Sequence, residues 1–189
     1  MKSVLGFLLA AYLAACSVPG PREPDRYFVL DAGIATAAAP RSGVSVVVAP
    51  TTAASFYDTQ DIAYSRAPGT RAYYQFNRWT ERPQRSIHGP LASRLEGGST
   101  KPGLRLNTHV EEIYHDAAEE PGTARITVAA ELVDPDSRAV LARRTFTRSA
   151  PAASYDAPGA VRGFNQALAA LIADIEGWVQ AESRPKSRP

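Results

Sequence analysis

A chain of 189 residues with 21 Lys and Arg against 19 Asp and Glu carries a formal net charge of +2, so its overall charge gives no drive toward nucleic acid. With 44% hydrophobic and 21% charged residues it is neither disordered nor fibrous, and its length supports one hydrophobic core of ordinary size. The single cysteine excludes an intramolecular disulfide and any zinc site that needs two thiolates.

The amino terminus reads as an address. Met1 and Lys2 supply positive charge, and Val4 to Leu13 is an apolar run of ten residues without an acidic group, the pattern of a signal-peptide core. A membrane-spanning helix takes roughly 20 apolar residues, so the run is too short for a permanent anchor. It ends in Leu13-Ala14-Ala15-Cys16, which resembles the bacterial lipobox, where the cysteine is acylated and the peptide is cut before it. The resemblance implies removal of residues 1–15 and a covalent lipid on Cys16. Acyl chains contribute about 0.8 kcal/mol per buried CH₂, and two or more chains hold where one does not. Ser17 stands where Asp would retain a lipoprotein at the inner membrane, which implies the periplasmic face of the outer membrane. Residues 16–26 then form the lipidated cysteine and a tether, rich in proline and charge and without hydrophobic period.

The body, residues 27–182, reads as one α+β domain with a largely antiparallel or mixed sheet and two packed helices. Tyr27 to Leu30 is a short aromatic and β-branched strand. Val44 to Ala49 is nearly all apolar and stops at Pro50, which predicts a central strand buried on both faces. Ile62 to Arg66 and Arg71 to Phe76 flank Ala67-Pro68-Gly69-Thr70, whose Pro-Gly pair suits a type II turn and a hairpin. Pro83 fits a first helical turn, and Ile87, Leu91 and Leu95 recur every four residues until Gly97-Gly98, which predicts a helix over 82–96. Pro90 inside it removes a hydrogen bond at a cost of about 3 kcal/mol, which predicts a kink or a late start.

Three alternating segments follow. Leu104, Leu106, Thr108 and Val110 share one face of the first; Ile126, Val128, Ala130 and Leu132 share one face of the second; the third runs from Val140 to Arg148 around Phe146. Turn-rich links at 116–122 and 134–137 predict an antiparallel meander. Val161, Phe164, Leu168, Leu171, Ile172, Ile175, Trp178 and Val179 recur at three and four, one apolar stripe on a helix over 157–182. Residues 183–189 read as a basic, solvated tail, the alternative being a role at a membrane surface, for which three charges are few.

No phosphate-cradling glycine loop, nucleophile elbow or zinc-protease motif occurs. His109, Glu111, Glu112 and His115 come nearest to a metal set, but His115 needs a bulge or a strand end to join the others; the alternative is a hydrated strand edge. Asp58 and Asp61 read as turn and capping groups. No catalytic residue, metal or cofactor is therefore expected beyond the lipid on Cys16.

Seven of the 16 aromatic residues fall between Phe56 and Trp79. Rigid amphipathic rings and arginines are enriched at interfaces, so Tyr57, Asp58, Gln60, Tyr64, Arg66, Tyr73 and Arg78 form a candidate partner-binding surface; the competing reading is that the rings are core. Alternation puts Tyr73 and Tyr74 on opposite sides.

The lipobox, the tether into Tyr27-Phe28-Val29-Leu30-Asp31, the strand ending Val48-Ala49-Pro50, the run from Tyr57 to Arg66 and the Arg78-Trp79 step into a helix together resemble the ABC-type transport auxiliary lipoproteins, among them the lipoprotein of the paraquat-inducible MCE system. The order of these segments carries the likeness, which extends over nearly the whole mature chain. The sequence departs from the pattern at His88-Gly89-Pro90, where the family continues a regular helix. The resemblance implies a non-enzymatic outer-membrane lipoprotein that works with an MCE-domain protein and inner-membrane ABC components in moving lipid or other hydrophobic substrates, with self-association left open. The alternative is a periplasmic lipid chaperone, which would need an aliphatic pocket of roughly 300 to 1,000 Å³.

Overall fold

The computed structural model describes residues 23–33, 45–96 and 103–183. The expected signal peptide, Cys16, the expected tether up to residue 22, Gly97-Gly98 and the expected tail beyond Ser183 lie outside the described residues.

Along the chain come β1 (Arg26–Phe28), β2 (Val46–Val48), β3 (Thr52–Ala53), a 3₁₀ turn (Ser55–Tyr57), β4 (Asp61–Ser65), β5 (Ala72–Trp79), α1 (Pro83–Leu95), β6 (Leu104–Asp116), β7 (Thr123–Val133), β8 (Val140–Pro151) and α2 (Ala157–Glu182). They make a single α+β domain with one open, mixed, eight-stranded sheet in the order β1-β5-β4-β6-β7-β8. The long strand β6 organises it. One edge of β6 pairs antiparallel with β7 along its length, while the other is shared in turn by β2, β3 and β4, all parallel to it.

The expected hairpin forms between β4 and β5, with Gly69 at φ 74° in the turn and Thr70 N–H bonded to Ala67 O at 3.2 Å. The meander β6-β7-β8 is antiparallel throughout, and Asp134 closes its second turn by accepting from the amides of Asp136 and Ser137. Strand β5 continues to Trp79, three residues past the expected end, so the Arg78-Trp79 step belongs to the sheet.

The strand expected at 44–49 is shorter and differently placed. β2 pairs with β6 alone among the described strands, and Val47 is 41% exposed between buried Val46 and Val48, so it is covered on one face, by α1, and is not central. Unbroken apolarity does not distinguish one covered face from two.

Helix α1 starts at Pro83 and runs through Pro90 to Leu95, so the late start does not occur. Its Ile87, Leu91 and Leu95 are buried, as the four-residue spacing requires. Asp156 caps α2 by accepting from Gly159 N–H at 2.8 Å. The stripe from Val161 to Val179 is buried with Ile126, Val128, Ala130 and Leu132, and edge-to-face contacts Trp79–Phe164 and Phe146–Trp178 lock α2 onto the sheet. Arg94 joins α1 to α2 through Glu176, with Nε at 2.8 Å from the carboxylate. Among the described residues no helix is long and apolar enough to cross a membrane.

Candidate functional site

Register decides which side chains share a face. Ile113, Tyr114 and His115 of β6 lie opposite Ile126, Arg125 and Ala124 of β7, so Ile113 and His115 point to the helix-bearing side with Ile126. Between Val110 and Glu112 the ladder slips by one residue at a bulge. That slip puts His109 and Glu112 on the opposite, open side and separates them from His115. The imidazoles are therefore not gathered: His109 Nδ1 bonds Thr52 Oγ1 at 2.8 Å, and no metal-holding group occurs among the described residues.

On the open side the 3₁₀ turn brings two neighbouring rings against the hairpin. Tyr73 stacks on Phe56 with centroids 4.5 Å apart, and its hydroxyl donates to Phe56 O at 2.7 Å. Phe56 meets Tyr57 edge-on at 5.3 Å. Tyr57 is only 7% exposed, and its hydroxyl accepts from Arg71 Nε at 3.0 Å. Burial pushes the Tyr57 phenol above its ordinary range, although the arginine opposes the shift. Arg71 also bonds Glu112 at 3.0 Å and lies 3.6 Å from the Tyr114 ring centre. The result is a fixed pedestal with Phe56 and Tyr73 on top, Tyr73 being 38% exposed. Sequence reasoning missed Phe56, Arg71 and Tyr114; the alternation of β5, which sends Tyr73 to one side, is the signal that leads to them.

The other candidate residues fall elsewhere. Tyr64 pairs with His115 in the ladder and so faces the helix side, where it packs on Tyr74 at 4.7 Å. Arg66 lies over the rings of Tyr64 and Tyr155. Tyr74 donates to His115 Nδ1 at 2.7 Å, and His115 Nε2 lies 3.0 Å from Pro121 O. A carbonyl only accepts, so Nε2 carries the proton and Nδ1 accepts from Tyr74. Burial lowers the His115 pKa and raises that of Tyr74 to about 12. Asp58 bonds Arg82 and Gln84 at the start of α1, Gln60 holds the carbonyls of Trp79 and Thr80, and Arg78 pairs with Asp61 and Asp25. Asp58 and Asp61 are thus tying groups at element ends. The seven residues make three groups, of which the open-side one, with Tyr57 and Tyr73, presents the exposed Tyr73 ring.

Several hollows open on the surface of the described residues. One of about 480 Å³ lies between Pro50–Ala53 and the basic side chains of Arg82, Arg85 and His88. Another of about 430 Å³ is lined by Asp116, Glu119 and Glu120 among others. A more apolar hollow, lined by Leu104, Leu132, Leu141 and Ala142 with Glu182 at its side, measures about 240 Å³.

The described residues form an α+β sheet with helix α2 packed on one face and the aromatic, hydrogen-bonded group of Phe56, Tyr57, Arg71 and Tyr73 on the other. Residues 28–176 match the family described as ABC-type transport auxiliary lipoprotein component, and the chain belongs to that family. The crystal structure of protein XCC0632 from Xanthomonas campestris, of the family designated DUF330, is similar with a TM-score of 0.73 at 21% identity, covering 83% of this chain and 95% of that one. The crystal structure of a second, uncharacterized protein is similar at 0.64 and 13% identity, covering 83% and 99%. At these identities the likeness is one of fold. No curated protein sequence matches the chain.

Proposed function

We propose that the chain is a lipid-anchored, non-catalytic docking component of an envelope transport system. Acyl groups on Cys16 hold it at the periplasmic face of the outer membrane, and the domain receives an MCE-domain protein that works with inner-membrane ABC components on lipids or other hydrophobic substrates. The observation that carries this reading is the Phe56–Tyr73 stack, an exposed tyrosine on a partly buried phenylalanine, held in place by Tyr57 and Arg71 beneath it. Preordered rings lose little entropy on binding, which makes such a pair a suitable anchor.

The size of the apolar hollow favours docking over carrying. At about 240 Å³ it falls below the roughly 300 Å³ from which ligand pockets start, and the larger hollows are lined with charge. The test is fractionation of Cys16→Ser: the account expects the protein in the soluble periplasmic fraction, and a variant that stays on the membrane without a partner would remove the anchor from it. Sedimentation of the intact protein reads whether it acts as a homo-oligomer.

A further inference from the structure

Strand β8 closes one end of the sheet, paired to β7 on one edge and, among the described residues, to no strand on the other. Of its twelve residues only Phe146 and Ala150 are buried. A long open edge is a template for further pairing, and natural proteins cover it, bulge it or charge it. Here it is charged with one sign. Arg138, Arg143, Arg144 and Arg148 lie on or just before β8, and neither Asp nor Glu occurs between Ser137 and Tyr155. Arg143 is paired with Glu131 at 2.6 Å and Arg148 with Asp174. Arg144 lies 5.0 Å above the Phe146 ring, and neither it nor Arg138 has a carboxylate partner among the described residues.

The charge selects the occupant. A second copy pairing about a two-fold axis midway along β8 would set Arg143 opposite Arg148, and like charges directly opposite destabilise a ladder. An acidic strand meets the opposite situation. We propose that the free edge of β8 receives an extended, acidic segment of a partner protein as an added strand. Main-chain hydrogen bonds supply the pairing, and Arg138 and Arg144 select for carboxylates. Val140 and Leu141, 49% and 56% exposed beside the apolar hollow, offer a seat for one apolar residue at the end of that segment. The proposal concerns an edge distinct from the Phe56–Tyr73 stack, so its failure leaves the docking role of that stack standing.

The probe is a synthetic decapeptide alternating threonine and glutamate and ending in leucine, with a lysine-for-glutamate control, added to the full chain in detergent. Amide hydrogen exchange should slow selectively over residues 141–149 with the acidic peptide, and binding should weaken as salt is raised. The double variant Arg138→Glu, Arg144→Glu should bind at least tenfold more weakly while melting like the wild type. Arg144→Gln, which removes charge without reversing it, should lose part of the affinity and serves if the double variant is unstable. Equal binding of the lysine peptide, protection outside β8, or no binding of either peptide would overturn the proposal, the last outcome marking the arginines as a guard against pairing only.

Discussion

Truncating His115 tests how the end of the sheet is held together. This residue is fully buried, and its two ring nitrogens join Tyr74 of β5 to the Pro121 carbonyl of the loop between β6 and β7. The fit is tight: Gly122 follows at φ 86°, and a Cβ there would overlap His115 Nε2. In His115→Ala the Pro121 carbonyl and the Tyr74 hydroxyl lose their partner, and each buried polar group left unsatisfied costs about 1 to 3 kcal/mol. The sum is about 4 kcal/mol, of which water entering the vacated space recovers a part. For a domain of this size 1 kcal/mol moves Tm by about 2 to 4 °C, so a loss on the order of 10 °C is expected. The pH dependence has a definite sign. Burial holds the folded-state pKa below 6.5, while Tyr64, Tyr74, Tyr155, Asp116 and Asp156 surround the ring without reversing that direction. The unfolded chain therefore binds the extra proton, so the contribution is complete above about pH 6.5 and is lost as pH falls through that value toward the folded pKa. Urea melts of wild type and His115→Ala at pH 8 and pH 5 measure both effects. Equal melts at pH 8, or a stability gap that widens on acidification, would refute the reasoning.

Other expectations follow from the same contacts. Tyr57→Ala removes a buried ring and should destabilise the domain by about 3 to 5 kcal/mol in a denaturant melt, whereas Tyr73→Ala on the exposed side should melt within about 1 kcal/mol of wild type. Arg94→Ala leaves the nearly buried Glu176 without its ion-pair partner; the loss should be about 2 kcal/mol, discounted from the cost of a fully buried pair because Arg94 is 21% exposed, and Glu176→Gln in the Arg94→Ala background should recover part of it in the same melt.

Both helices were legible because each shows its apolar residues at three and four: the stripe from Val161 to Val179 gives α2 over 157–182, as observed, and Ile87, Leu91 and Leu95 give α1 to within a residue at either end. The alternation of β6 and β7 revealed the meander in the same way. The parallel pairing of β2, β3 and β4 with β6 was not legible, since it depends on which short strand reaches which stretch of one edge, and two-residue β3 has no period to read. The dispersal of His109 and His115 depends on a bulge at Glu111 that leaves no mark in the composition of the strand. The aromatic run was visible, but nearness in sequence does not fix a face. Tyr57 and Tyr73 both contact Phe56 of the 3₁₀ turn, while Tyr64, one ladder position from Ala63, looks the other way.

The dissociation constant of the chain for an MCE-domain protein of the same cell, measured with wild type and with Tyr73→Ala, tests the docking account most directly. An anchor ring at an interface contributes about 1 to 3 kcal/mol, so the account predicts about 5- to 150-fold weaker binding by a variant that melts like the wild type. Full affinity in that variant, or no binding by the wild type, would contradict it.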